Sequence, residues 1–172
     1  MRQVILTDTK GNQTGLSEIM QAHTGEGKLH RAFSVYIFRK QGTEILMQKR
    51  SSKKMLFPLL WANTCCSHPF PDEAMMDAAQ RRLQEECGLT CDLKVAGTLV
   101  YRAEDPEGRG VEHEHVTLLR GDDPVSEPKP DSEEIEEIKW MPVEDLLTDM
   151  EEHPKKYAPW FHLGLQKLLL IL

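Results

Sequence analysis

The sequence predicts a single α+β domain built on a mixed sheet, and three observations carry that expectation. β-rich runs fill much of residues 2–50 and return between residues 91 and 143, one long stretch free of Gly and Pro interrupts them, and helix-forming segments close the chain. At 172 residues the chain can bury one sizeable core but hardly two, so one domain spanning residues 1–172 is expected.

Taken in order, "RQVILTD" (2–8) reads as a strand ended by the turn signal "KGNQTG" (10–15). In "LSEIMQAHTGEGKLH" (16–30), Gly25 and Gly27 prevent a continuous helix. "RAFSVYIFRK" (31–40) and "TEILMQKR" (43–50) are β-rich and separated by "QG", the pattern of a hairpin. Residues 72–87, "DEAMMDAAQRRLQEEC", are dense in helix formers and are followed by Gly88, a residue suited to the left-handed end of a helix. "CDLKVAGTLVYRA" (91–103) and "VEHEHVTLLRG" (111–121) are strands joined by the turn "EDPEGRG". The acidic, Pro-bearing segment 122–134 is an exposed loop, and "IEEIKWMPV" (135–143) is a strand. A helix then starts at Pro142, and an apolar helix over 157–172 closes the chain.

Composition narrows the function. Apolar residues make up 40% and charged residues 28%, which is the make-up of a globular protein. The formal charge of -7 argues against a nucleic-acid binder, because affinity for a phosphate backbone requires a basic surface. "QKRSSKK" (48–54) is a local exception, either a solvated loop or an attractor for a compact anion. No apolar run approaches the roughly 20 residues that span a bilayer, and the N-terminus lacks an export signal. A cytoplasmic protein without membrane contact is expected, as a monomer or weak homodimer. In a reducing compartment the four cysteines are free thiols, metal ligands or catalytic groups. Cys65 and Cys66 in the loop "NTCCSHP" (63–69) would bridge poorly, since neighbouring side chains of an extended chain point apart.

Three constellations bear chemistry. Between Ser67 and Leu89, Glu73, Arg81, Leu83, Glu85, Glu86 and Gly88 recur at set spacings. Arg82 and Glu86 at i,i+4 are at the least a salt-bridged face worth about 0.2–0.5 kcal/mol. The acidic pair can also hold a hard cation shared with a diphosphate, as Mg²⁺ is usually held. In "VEHEHV", alternation puts Glu112 and Glu114 on one face of a strand and His113 and His115 on the other. Either pair can bind a metal, and spacing alone does not choose between them. His23 and His30 bracket "TGEGKL", and His68 follows the cysteines; with a Glu pair they supply enough N and O donors for Zn²⁺ or Mn²⁺.

The first constellation resembles the Nudix box, with Ser67 where the box has Gly and Arg82 where it has the Glu after Arg81. The resemblance implies a Nudix-type mixed β-sheet sandwiched by helices that keeps diphosphate handling with one carboxylate fewer. A Nudix diphosphohydrolase is the alternative function. "HTGEGKLHRAFSVYIF", "WANTCCSHP", "AAQRRLQEECG", "YRAEDPEG", "EHEH" and "APWF" together are similar to the type 1 isopentenyl-diphosphate Δ-isomerases, from about residue 3 to about residue 162. That resemblance is more specific than the box and implies interconversion of isopentenyl and dimethylallyl diphosphate through a tertiary carbocation. It implies Mn²⁺ or Zn²⁺ on His23, His30, His68, Glu112 and Glu114, with Cys66 and Glu114 as the acid/base pair. It further implies Tyr101 and Trp160 as active-site aromatics. Arg50, Lys54 and Arg82 would be the diphosphate contacts, with Glu86 on the Mg²⁺ that accompanies the substrate.

Overall fold

The computed structural model describes residues 2–170. Its centre is β3 (His30–Arg39), a strand buried on both faces. Phe33, Val35 and Ile37 point to one side and Ala32, Tyr36 and Phe38 to the other, each in its own apolar cluster. This double burial explains why the segment reads as a nearly continuous apolar run rather than an alternating one.

Other strands assemble on β3. β1 (Gln3–Thr7) and β2 (Gln13–Glu18) form an antiparallel hairpin, and β1 meets β3 where Leu6 faces His30. α1 (Ile19–Ala22) is a single turn. β4 (Glu44–Arg50) pairs with the end of β3, and β5 (Trp61–Ala62) adds to β4. β6 (Cys65–Ser67) runs antiparallel to the middle of β3. β7 (Leu93–Glu104) and β8 (Val111–Asp122) form a long hairpin, and β8 lies parallel to β3 with Glu114 opposite His30. β9 (Ile135–Pro142) pairs antiparallel with β4. The sheet is therefore mixed, as expected.

Helices cover both faces. α2 (Met75–Cys87) buries Ala78, Ala79, Leu83 and Cys87 against Phe33, Val35 and Ile37. α3 (Val143–Glu152) and α4 (Pro159–Leu169) pack on the opposite face. On α4, Phe161, Leu165 and Leu168 form the buried stripe, each worth about 1.5–3 kcal/mol when taken out of water. Gly88 ends α2 at φ 63, in the left-handed region that disfavours a side chain. None of the described helices is long and apolar enough to cross a membrane.

Several boundaries differ from the sequence expectation. β2 occupies residues read as turn and irregular segment; "QTGLSE" has little strand propensity of its own and is held by its ladder to β1. The cysteine segment is a short strand rather than a loop, because β3 offers it a free edge. α2 begins at Met75 rather than 72, since Glu73 turns back to accept the N–H of Phe70 at 2.9 Å. Pro142 precedes α3 rather than opening it. α4 ends at Leu169, and Ile171 and Leu172 of the expected helix lie outside the described residues.

Candidate active site

Strand parity gathers the site. Even-numbered residues of β3 and β8 face α3 and α4, so His30, Ser34, Glu112 and Glu114 share one side of the sheet. Tyr101 is the ladder partner of Glu114, and Cys66 that of Ser34, which puts both on the same side. Cys65 points the other way and packs with α2.

Three histidines and two glutamates converge. One donor atom from each of His23, His30, His68, Glu112 and Glu114 lies within 4.8 Å of all the others. His23 Nε2 is 3.1 Å from Glu112 Oε2, and His68 Nε2 is 2.8 Å from Glu114 Oε1. His30 Nε2 is 3.1 Å from His68 Nε2 and 3.6 Å from Glu114 Oε1. Two ligands each about 2.1 Å from a metal and at right angles sit about 3 Å apart, so these separations fit one cation.

The tautomers agree with that use. His23 Nδ1 lies 2.8 Å from the carbonyl of Ile19, and His30 Nδ1 lies 2.7 Å from that of Lys28. In a neutral ring, an Nδ1–H that donates to a carbonyl leaves Nε2 with a lone pair for a metal; on His23, whose protonated form Glu112 favours, a bound cation would take the place of the Nε2 proton. The backbone holds His23 beside Glu112, since the N–H of Val111 donates to the His23 carbonyl at 2.8 Å. A Cβ at Gly110 would come within 2.5 Å of that carbonyl oxygen, so a side chain there would break the junction. His113 and His115 lie on the far face; His113 Nδ1 is 3.0 Å from the carbonyl of Gly27.

The cluster draws positive charge. Burial alone would lower the pKa of His23, but Glu112 outweighs it and drives the imidazole up to about 9. Burial pushes His68 down to about 4. Glu112 is pushed up by burial and by the charge of Glu114. Glu114 goes the other way: burial would raise it, but the imidazoles of His30 and His68 hold it well below the carboxylate range.

Cys66 remains a thiol. The Asn63 amide nitrogen donates to the carbonyls of Val35 at 2.9 Å and Cys65 at 3.1 Å, which leaves its oxygen to accept the Cys66 S–H at 3.0 Å. Ser34 Oγ lies 3.3 Å from the same sulfur. Burial dominates and lifts the thiol to about 12, against the lowering effect of Ser34 and Asn63.

A cavity of about 290 Å³ joins these groups. His23, His68, Glu112, Glu114, Cys66 and Tyr101 line it together with Trp160 and the cations Arg50, Lys54 and Arg82. Ile19, Met20, Met55 and Leu56 add apolar wall. Trp160 meets Phe57 edge-on at 5.3 Å, and the Arg50 guanidinium lies 5.2 Å from the Trp160 ring centroid. Two expected residues do not line the cavity. His30 is fully buried behind it, and Glu86, 1% exposed, is ion-paired with Arg82 and accepts from Gln48 at 3.3 Å.

Two charged residues of the cavity wall escape sequence reasoning. Glu134 ends a segment read as a solvated acidic loop, yet it is ion-paired with Lys54 and sits 3.0 Å from Arg82. Arg2 lies just before β1 in no motif. Nothing in their local sequence marks either one; tertiary placement makes them part of the site.

The sequence model of the NUDIX domain family matches residues 28–161. The fold agrees: a crystal structure of a Deinococcus radiodurans protein superposes with a TM-score of 0.75 at 14% identity, covering 96% of this chain and 98% of that one. The MutT protein of Methanosarcina mazei gives a TM-score of 0.67 at 18% identity, over 83% of this chain and 94% of its own. Sequence relatives narrow the class. The isopentenyl-diphosphate Delta-isomerase of Halorhodospira halophila is 38% identical over 167 residues, 97% of this chain and 95% of that protein. That of Burkholderia multivorans is 41% identical over 167 residues, covering 96% and 92%. The chain belongs to the NUDIX-domain family and, within it, to the isopentenyl-diphosphate Delta-isomerases.

Proposed function

We propose that the protein isomerises isopentenyl diphosphate to dimethylallyl diphosphate, as the names of its relatives describe for them. The observation that carries this reading is one cavity holding a protonated thiol, a buried carboxylate on the strand across β3, an indole and a cluster of cations. Moving an isolated double bond by one carbon needs a proton added at one carbon and another removed beyond the resulting cation. Cys66 and Glu114 are the two groups suited to this exchange, and microscopic reversibility swaps their roles in the back reaction.

Water would capture a tertiary carbocation, so the apolar wall of Ile19, Met20, Met55 and Leu56 keeps the reacting carbons dry. The face of Trp160 stabilises the developing positive charge by about 2 kcal/mol in such surroundings. Tyr101 orients Glu114 through a 2.8 Å hydrogen bond to Oε2. Arg50, Lys54 and Arg82 anchor the diphosphate and so position the alkene from a distance.

His23, His30, His68, Glu112 and Glu114 are the residues that would hold Mn²⁺ or Zn²⁺. Such a cation supplies Lewis acidity that fixes Glu114 and tunes its affinity for a proton. Glu86 is proposed to meet the Mg²⁺ that travels with the diphosphate, which requires Arg82 to exchange Glu86 for phosphate oxygens. The hydrolase reading is weaker, because Arg82 engages both Glu85, at 2.8 Å, and Glu86. Incubation with isopentenyl diphosphate in deuterated water with Mg²⁺ and Mn²⁺, followed by NMR, tests the proposal. Deuterated dimethylallyl diphosphate without phosphate release is expected; release of phosphate with an unmoved double bond would overturn it.

A further inference from the structure

Four cations line the cavity, and they differ in what they hold. Arg82 is paired with Glu85, Glu86 and Glu134, and Lys54 with Glu134. Arg50 donates to the carbonyls of Phe57 at 2.9 Å and Leu56 at 2.8 Å. Arg2, at the cavity rim, has no ion pair with any carboxylate among the described residues. Its guanidinium donates to Ser67 Oγ at 3.0 Å and lies 5.9 Å from the ring centroid of Phe70.

That placement is built in. The Arg2 carbonyl accepts the N–H of Ile19 at 2.9 Å, continuing the β1–β2 ladder in which Gln3 faces Glu18. Its side chain therefore leaves the backbone from a fixed point and ends on Ser67, the next residue after Cys66. Ser67 stands where the NUDIX box has glycine, and a glycine has no side-chain atom to accept this bond. Arg2 is exposed to solvent on its outer side; burial of the rest of the side chain, and then the neighbouring charges of Arg82 and Arg81, disfavour its charged form, while the more distant Glu134 and Glu86 partly offset them. A guanidinium beside other cations, with no carboxylate in ion-pair contact, keeps donors available for an anion.

We infer that Arg2 is a further substrate-binding residue, which takes a phosphate oxygen of the prenyl diphosphate while Ser67 aims it into the cavity. The inference rests on the isomerase proposal above and extends its diphosphate site to a residue outside the NUDIX motif. Arg2 touches substrate in this scheme but takes no part in proton transfer, so its loss weakens binding rather than turnover.

The test compares the protein with its Arg2→Ala and Arg2→Lys variants in two assays: steady-state isomerisation of isopentenyl diphosphate, and calorimetric titration with inorganic pyrophosphate plus Mg²⁺. For Arg2→Ala, KM and the pyrophosphate Kd are expected to rise together by roughly 5- to 50-fold, with kcat within about twofold. Arg2→Lys recovers part of the loss, since it keeps the charge but not the planar fork. Thermal melts matching the parent confirm that the comparison concerns binding. Unchanged KM and Kd, or a fall in kcat at constant KM, overturn the inference. If the parent binds pyrophosphate but leaves isopentenyl diphosphate unconverted, the isomerase proposal fails while the calorimetry still decides the role of Arg2.

Discussion

Tyr101 and Glu114 are direct partners across the β7–β8 ladder, and the tyrosine hydroxyl donates to Glu114 Oε2 at 2.8 Å. His68 lies 2.8 Å from the other oxygen, so the carboxylate is held at both ends. One of its anchors thus comes from the adjoining strand and not from the histidine cluster.

Tyr101→Phe removes that anchor and keeps the ring. Losing a hydrogen bond to a charged group of about 1.5–3 kcal/mol lowers kcat roughly 10- to 100-fold. Metal content, measured by mass spectrometry, should stay at the parent level. A kcat equal to the parent's would contradict an orienting role for Tyr101.

The two cysteines separate cleanly. Cys66→Ala should cut isomerisation by about 10²- to 10⁴-fold with the fold intact, the usual weight of a general acid or base. Cys65, fully buried against α2, should behave as packing: Cys65→Ala costs roughly 1–2 kcal/mol in urea unfolding and leaves kcat near normal. Equal loss of activity in both variants would refute the assignment.

Glu114→Gln keeps the shape and removes the charge that His30 and His68 face. Metal affinity and turnover should fall together. Strong chelation of the parent should likewise abolish activity, and Mn²⁺ or Zn²⁺ should restore it. Metal-free protein that turns over normally would remove the cluster from the mechanism.

Trp160→Leu tests the indole as a cation-stabilising wall. A loss of about 2 kcal/mol in the transition state corresponds to roughly 30-fold in kcat, with KM little changed. A deficit confined to the melting temperature would instead assign Trp160 to packing against Phe57.

One acid-sensitive contact lies outside the cavity lining. The hydroxyl of Tyr157, followed by His153 and Lys156, holds Asp149 down to about 2 from 3.8. A depressed carboxylate stabilises the fold above its unfolded pKa, and that contribution is lost as pH falls through the folded value. Thermal melts between about pH 4 and pH 2 should therefore decline more steeply in the parent than in Asp149→Asn. Parallel curves would show that the contact does not couple to folding.

Strand parity sorts the candidate residues into faces, and the resemblance to the isomerases chooses between the faces. The alternation of "VEHEHV" already separates Glu112 and Glu114 from the two histidines, and the structure puts the glutamates on the α4 side. The same rule separates the vicinal cysteines in the structure, but their sequence alone does not say which of the two faces the cavity. What could not be read depends on pairing between distant segments. β2 and β6 are strands because β1 and β3 offer them edges, not because "QTGLSE" or "CCS" favours extension. Glu134 and Arg2 enter the cavity from an acidic loop and from the edge of a strand, and neither place has a local signature. The burial of Glu86 behind Arg82 is likewise a matter of packing that spacing cannot express.

The parallel register of β3 and β8, with His30 opposite Glu114, makes the centre an all-or-nothing object. A slip of one residue would turn His113 and His115 inward and send both glutamates to the α2 side, replacing a mixed nitrogen–oxygen nest with imidazoles alone. No intermediate setting of the ladder yields a half-formed site. Mutational drift can therefore soften individual contacts around this centre, but it can change the donor set only by a discrete jump.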